Sequence, residues 1–216
     1  MNENNNPDHS LIAEYVRRRL FCSFYVFYSC NSVPPENAAN LRNPKKRTRL
    51  KNTERHVSAR TTETGKFKYS ATLLSDINFS HLRWSRAVKN ISDDCHRAWI
   101  YYCYADRLDF DFQILICRRI WSEFNSTLFT QQKKIRTTTL ELLKKLVFLA
   151  VQNAVYKIKT DRDYYSSKTL ARLAKKSISG WSENYNSHWN QLLKICYKLD
   201  YEALINVSNQ KRTQNN

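Results

Sequence analysis

Two clusters in this chain have the residue types to hold a polyanion. Between positions 168 and 186, Lys168, Arg172, Lys175 and Lys176 supply cations, while Ser177, Ser179, Gly180, Ser182, Glu183 and Asn186 supply short polar groups. Cations neutralise phosphates and release counterions, and short polar groups can approach base edges in a DNA groove. Upstream, Lys45, Lys46, Arg47, Arg49 and Lys51 form the densest part of a basic stretch. From Leu41 to Lys68, ten Lys or Arg stand against Glu54 and Glu63, a net of +8. That stretch reads as a flexible arm on nucleic-acid phosphate, with a merely solvated tether as the alternative.

Catalytic constellations are poor by comparison. Asp106, Asp109 and Asp111 sit close together and could hold a divalent cation through oxygen, which would make the protein a metal-dependent nuclease. Carboxylates at the ends of helices are the commoner reason for such a cluster. The five histidines, His9, His56, His81, His96 and His188, have neither metal nor triad spacing. Cys95 and His96 are neighbours and would point about 100° apart on a helix, so they form no local nucleophile–base pair. None of the six cysteines falls in a C-x-x-C pair, so they read as reduced thiols of a cytoplasmic protein. No metal and no cofactor is expected.

The elements that must position these groups read as helices. Ser166 or Ser167 can cap a short helix with Leu170, Leu173 and Ala174 inward, and Ala171 lets a second helix cross close by. Ser177 would cap that second helix, whose Trp181, Tyr185 and Trp189 recur every four residues and face the core, leaving the polar face outward. That is the packing logic of a helix-turn-helix, with Lys175 and Lys176 where the turn usually holds glycine and an apolar residue. An ordinary helical hairpin is the alternative.

Upstream, the spacing predicts an amphipathic helix over about Leu11 to Tyr28 and another after Ser80 as N-cap. A third begins behind Asp93 and Asp94 with Ala98, Trp99, Tyr102 and Cys103 as its stripe. A fourth spans Phe110 to Phe124, burying Phe110, Ile114, Cys117, Ile120, Trp121 and Phe124. The longest follows Thr137, Thr138 and Thr139, one of which should cap it. Its stripe runs from Leu140 through Leu143, Val147, Ala150, Val151, Ala154 and Val155 to Ile158, so it is expected to be central.

Composition sets the outer bounds. The chain has 216 residues, with 36 Lys or Arg against 19 Asp or Glu, a formal charge of +17. A protein that cationic seeks polyanions. With 13 Tyr, 10 Phe and 5 Trp it has enough area to bury to fold, at least in part. Only two Gly and four Pro occur, which argues against all-β, Rossmann and P-loop folds for want of turn and phosphate-loop material. Arg17, Arg18 and Arg19 precede an apolar run from Leu20 to Cys30, about half of what a membrane span needs and without a signal-peptide cleavage site. The expected architecture is all-α: an N-terminal helix with a frayed start over 1–30, a long basic disordered linker over 31–70, a helical body over 71–160, the helix-turn-helix region over 161–208 and a disordered tail over 209–216.

Beyond these readings the chain resembles a known family, the bacteriophage antitermination proteins called Q, in the longer form carried by enterobacterial prophages. The matching pieces are Tyr15-Val16-Arg17 with Leu20, Trp84-x-Arg86-Ala87-Val88, Ala98-Trp99 with Tyr102-Cys103-Tyr104, and Ile116-Cys117-Arg118-x-x-Trp121-x-Glu123-Phe124. Leu146-Val147-x-Leu149-Ala150-Val151-Gln152 and Leu170-Ala171-x-Leu173-Ala174 with Trp181-Ser182 and Trp189 complete the order. A related type carries zinc-binding cysteine pairs; this chain has none, so the resemblance brings no zinc. It implies a non-enzymatic late-gene regulator in the bacterial host cytoplasm, which recognises double-stranded DNA near a late promoter and joins host RNA polymerase. The polymerase then reads through terminators. The basic C-terminal unit would meet DNA, the charge-neutral body from 71 to 130 would meet polymerase, and the arm would meet DNA or nascent RNA. Alternatives are a helix-turn-helix promoter regulator without antitermination, an RNA-binding accessory factor, and the nuclease.

Overall fold

The computed structural model describes residues 7–31, 79–131 and 135–213, and every regular element in them is an α-helix. In chain order these are α1 (Pro7–Asn31), α2 (79–89), α3 (Asp94–Tyr104), α4 (Phe110–Thr130), α5 (Thr137–Thr160), α6 (Ser167–Leu173), α7 (Ile178–Asn184) and α8 (Asn186–Thr213). The all-α expectation holds. The linker, with Lys45, Lys46, Arg47, Arg49 and Lys51, lies outside the described residues.

The helix at the centre is α8 rather than α5. It packs against α1, α3, α4, α5 and α7, whereas α5 meets α4 and α8. The reason lies in its stripe: Trp189, Leu192, Ile195, Cys196, Leu199, Ala203, Leu204 and Val207 are buried along 28 residues, roughly 42 Å of helix. By contrast α5 buries one face and leaves Phe148 and Tyr156 exposed. The same packing carries α8 to Thr213, past the point near residue 208 where a disordered tail was expected.

Helix starts follow local chemistry where a short polar side chain is available. The Asp93 carboxylate accepts from the Cys95 and His96 N–H groups at 2.8 and 3.1 Å and so opens α3. Two starts differ from expectation. Helix α2 already contains Ser80, so Ser80 is not its N-cap. Helix α5 has Arg136 at the cap position without a side-chain cap, and the three threonines lie inside its first turn. On α4, Phe110, the first helical residue, is exposed. The buried positions are Ile116, Ile120, Phe124 and Leu128, with Ile114, Cys117 and Trp121 half-buried.

One buried carboxylate ties three helices together. Asp200 on α8 is 1% exposed. It accepts from Trp99 Nε1 at 2.8 Å, from the Tyr104 hydroxyl at 2.8 Å and from Arg17 Nη2 at 2.9 Å, joining α3 and α1 to α8. A charge this deep persists only when paired and fully hydrogen-bonded. Burial draws the Arg17 pKa down, but hydrogen bonding and attraction from Asp200 raise it by more, leaving it above the ordinary value. Tyr104 is pushed up, first by burial and then by the Asp200 charge.

Candidate nucleic-acid interface

Helices α6 and α7 are built by their caps and by the turn between them. Ser166 Oγ accepts from the Thr169 N–H at 3.2 Å, and Ser177 Oγ accepts from the Gly180 N–H at 3.1 Å. Between the caps, the Lys176 N–H donates to the Ala171 carbonyl at 2.9 Å and the Lys175 N–H to the Arg172 carbonyl at 3.1 Å. This pair of bonds is a Schellman closure, and its middle residue must be left-handed. Lys175 takes that conformation with φ 53, at the place where glycine usually stands. The turn is therefore tight without its glycine, and the backbone is strained there.

The inward face is aromatic. Trp181, Tyr185 and Trp189 are all buried, as their spacing predicts. Trp181 stacks on Tyr185 with centroids 5.8 Å apart and meets Trp189 at 6.2 Å and 62°. Leu170, Ala171 and Ala174 seat α6 beside them.

The outward face carries four cations and a few polar groups. Lys168, Arg172, Lys175 and Lys176 are exposed, and none is held in an ion pair within the described residues. Lys176 Nζ also lies 5.9 Å from the Tyr185 ring centroid. Ser179, Ser182 and Glu183 are exposed on α7, whereas Asn186 is half-buried at the start of α8. Ser177 is occupied as the cap. Gly180 serves that cap, since a Cβ there would stand 2.9 Å from Ser177 Oγ.

Sequence reasoning missed two apolar groups on this face. Leu173, expected inward, is 50% exposed because the Schellman turn ends α6 there, and Ile178 is 57% exposed at the first position of α7. They flank the turn on either side of Lys175 and Lys176. Spacing gives no warning of Ile178, which lies seven residues before Tyr185 and so shares its face; it is exposed at the start of the helix.

The acidic residues do not act together: Asp109 makes no side-chain cap bond and Asp111 is exposed in the first turn of α4. Asp106 has φ 50 and pairs with Lys159, and Asp109 occupies the cap position of α4. Among the described residues no three His, Cys, Asp or Glu side chains converge as a metal site requires. No described helix is long and apolar enough to cross a membrane.

The described residues thus form an all-helical scaffold in which Lys168, Arg172, Lys175 and Lys176 stand exposed and out of ion pairs on one short helix pair. The chain belongs to the family described as phage antitermination protein Q, which it matches over residues 34–216. It is 33% identical over 145 residues to antitermination protein Q of Enterobacteria phage 82, an alignment covering 67% of this chain and 62% of that protein. The match thus spans less than two thirds of the relative's length. No solved structure matches the chain.

Proposed function

We propose that this protein is a transcription antiterminator that binds double-stranded DNA near a phage late promoter and joins host RNA polymerase, so that the polymerase passes terminators. The observation that carries the reading is a family match running unbroken from residue 34 through α6, α7 and α8. Geometry supports the division of labour. In a helix-turn-helix arrangement α7 is the reading helix, with Ser179, Ser182 and Glu183 toward base edges and Ile178 or Leu173 toward thymine methyls. Lys168, Arg172, Lys175 and Lys176 hold phosphates on either side, and Asn186, half-buried, is at most a marginal contact. The charge-balanced body, where Phe110 and Phe129 are exposed, offers polymerase an apolar contact. The basic arm with Lys45, Lys46, Arg47, Arg49 and Lys51 adds phosphate contact to DNA or nascent RNA, and the working compartment is the host cytoplasm.

The test is terminator read-through in cells. The gene is expressed beside its own late-promoter region, with and without a strong intrinsic terminator ahead of a reporter. Rescue of the terminated reporter alone is the expected result. Equal change in both reporters would instead make the protein a promoter regulator without antitermination. In vitro, reversing charge at Arg172, Lys175 and Lys176 lowers DNA affinity and reduces the salt slope by about one for each phosphate that is no longer neutralised. An unchanged slope removes α6 and α7 as the DNA surface.

A further inference from the structure

The segment joining α5 to α6 is built around a buried amide. Asn153 on α5 is 1% exposed, and its Oδ1 accepts from the Tyr164 and Tyr165 N–H groups at 2.8 and 3.0 Å. Its Nδ2 donates to Asp163 at 3.2 Å, and the Tyr165 hydroxyl donates to Gln152 Oε1 at 2.8 Å. Asp161, left-handed with φ 58, turns the chain out of α5 and into this frame.

What the frame holds in place is an exposed ring. Tyr164 is 58% exposed, with its centroid 5.0 Å from Tyr156 and 4.7 Å from Tyr165, both edge-on. Tyr156 and Tyr164 line a cleft of about 270 Å³ together with Tyr102, Leu108, Val155 and Lys159, the last of which pairs with Asp106. The same frame seats Tyr165 against the core, while the Tyr164 ring beside it is left in water, where it adds little to folding.

The surroundings select the ligand's charge. From position 152 to 176 seven Lys or Arg stand against Asp161 and Asp163, a net of +5. Arg162 and Lys168, on either side of the tyrosines, are exposed and in no ion pair within the described residues. A preset aromatic face in a cationic surround fits a flat base on a phosphate backbone. The faces of a paired base are covered by its neighbours in the stack, so the base must be unpaired.

We propose that the Tyr156–Tyr164 cleft stacks an unpaired base of a DNA strand continuous with the duplex held by α6 and α7. The location of that strand rests on the duplex reading above, because Ser166, two residues after Tyr164, caps α6.

The experiment measures binding of the full chain to labelled DNA: a blunt duplex, the same duplex with a six-nucleotide thymidine overhang, and the same overhang made abasic. The thymidine overhang raises affinity about fivefold or more over the abasic one, which has equal charge. Tyr164→Ala removes that gain while leaving blunt-duplex binding unchanged, and Tyr164→Phe keeps it. Equal affinity for thymidine and abasic overhangs overturns the proposal, as does a gain that survives Tyr164→Ala with Tyr156→Ala. A larger gain from a uridine ribonucleotide overhang overturns the assignment to DNA. Should the blunt duplex fail to bind, the duplex reading of α6 and α7 falls. The cleft is then decided on a free ten-nucleotide thymidine strand against its abasic counterpart, where discrimination that disappears in Tyr164→Ala supports it and none overturns it.

Discussion

Lys175 and Asp200 each occupy a position whose demands the side chain alone does not announce. Lys175 bears the strain of a left-handed backbone while standing among the candidate phosphate contacts, so its two roles pull apart. Lys175→Gly is expected to stabilise the fold by about 1 kcal/mol, seen as a raised urea midpoint, while weakening DNA binding and lowering the salt slope by about one. A variant that gains stability and keeps its DNA affinity would show that the lysine touches no phosphate. At Asp200 the expectation is loss: Asp200→Ala strands Arg17, Trp99 and Tyr104 and costs about 3–5 kcal/mol in equilibrium unfolding. The partners of Asp200 lie between 96 and 183 residues away in sequence. No local pattern could have named it, and Asn153, set in an apolar stripe, was hidden in the same way. Trp181, Tyr185 and Trp189 were legible because a four-residue recurrence of large rings is itself the signature of a buried face.

Among the elements, α7 shows how a start signal and a glycine can be one device. Ser177→Ala removes the cap at a cost of about 1 kcal/mol. In the wild-type chain Gly180→Ala gains helix propensity but displaces Ser177 Oγ, which stands 2.9 Å from the new Cβ, so the net change is near zero. Once Ser177 is already alanine the same substitution stabilises by up to about 1 kcal/mol. A double-mutant cycle by thermal or urea unfolding checks this, and additive effects would separate the glycine from the cap. The caps at Ser177 and, as one of two neighbouring serines, at Ser166 were readable in advance, whereas Asp93 was read only as a charge at the start of α3. The start of α5 was not, because three consecutive threonines offer three registers and packing of Leu143 and Val147 settles on one that uses none of them. The exposure of Phe110 and Leu173 shows a related limit: periodicity says which face a residue shares, but not whether the end of the helix is covered.

For the molecule as a whole, the all-helical class and the basic character were legible, while the rank order of the helices was not. Stripe length on α5 suggested the centre, yet α8 holds it, because the number of neighbours depends on tertiary topology. The thiols follow from the same core. Burial, with the Asp93 charge second, pushes Cys95 up to about 12; burial alone pushes Cys117 up to about 11; and Cys103 and Cys196 are raised as well, first by burial. Tyr197 is pushed up to about 12, chiefly by burial. In the unfolded chain thiols ionise near 9, so above that pH the folded state holds more protons than the unfolded one. Stability is therefore full below about pH 9 and declines as pH rises toward 12. The melting temperature is expected to fall steadily across that window, and a flat profile from about pH 8.5 to 10.5 would show that the thiols are not sequestered. Titration with a thiol reagent under native conditions gives a second reading, with Cys95, Cys103 and Cys196 reacting only on unfolding.

The bond from Arg17 to Asp200 spans 183 residues of sequence. On a ribosome adding about 5–20 residues per second, the first helix is made on the order of ten seconds or more before the carboxylate that seats it. Throughout that interval α1 lacks α8, the helix against which it chiefly packs. The earliest element of the chain is thus the last to be locked, and a nascent chain stalled before residue 200 presents an unsheltered apolar helix to whatever chaperone the cell has at hand.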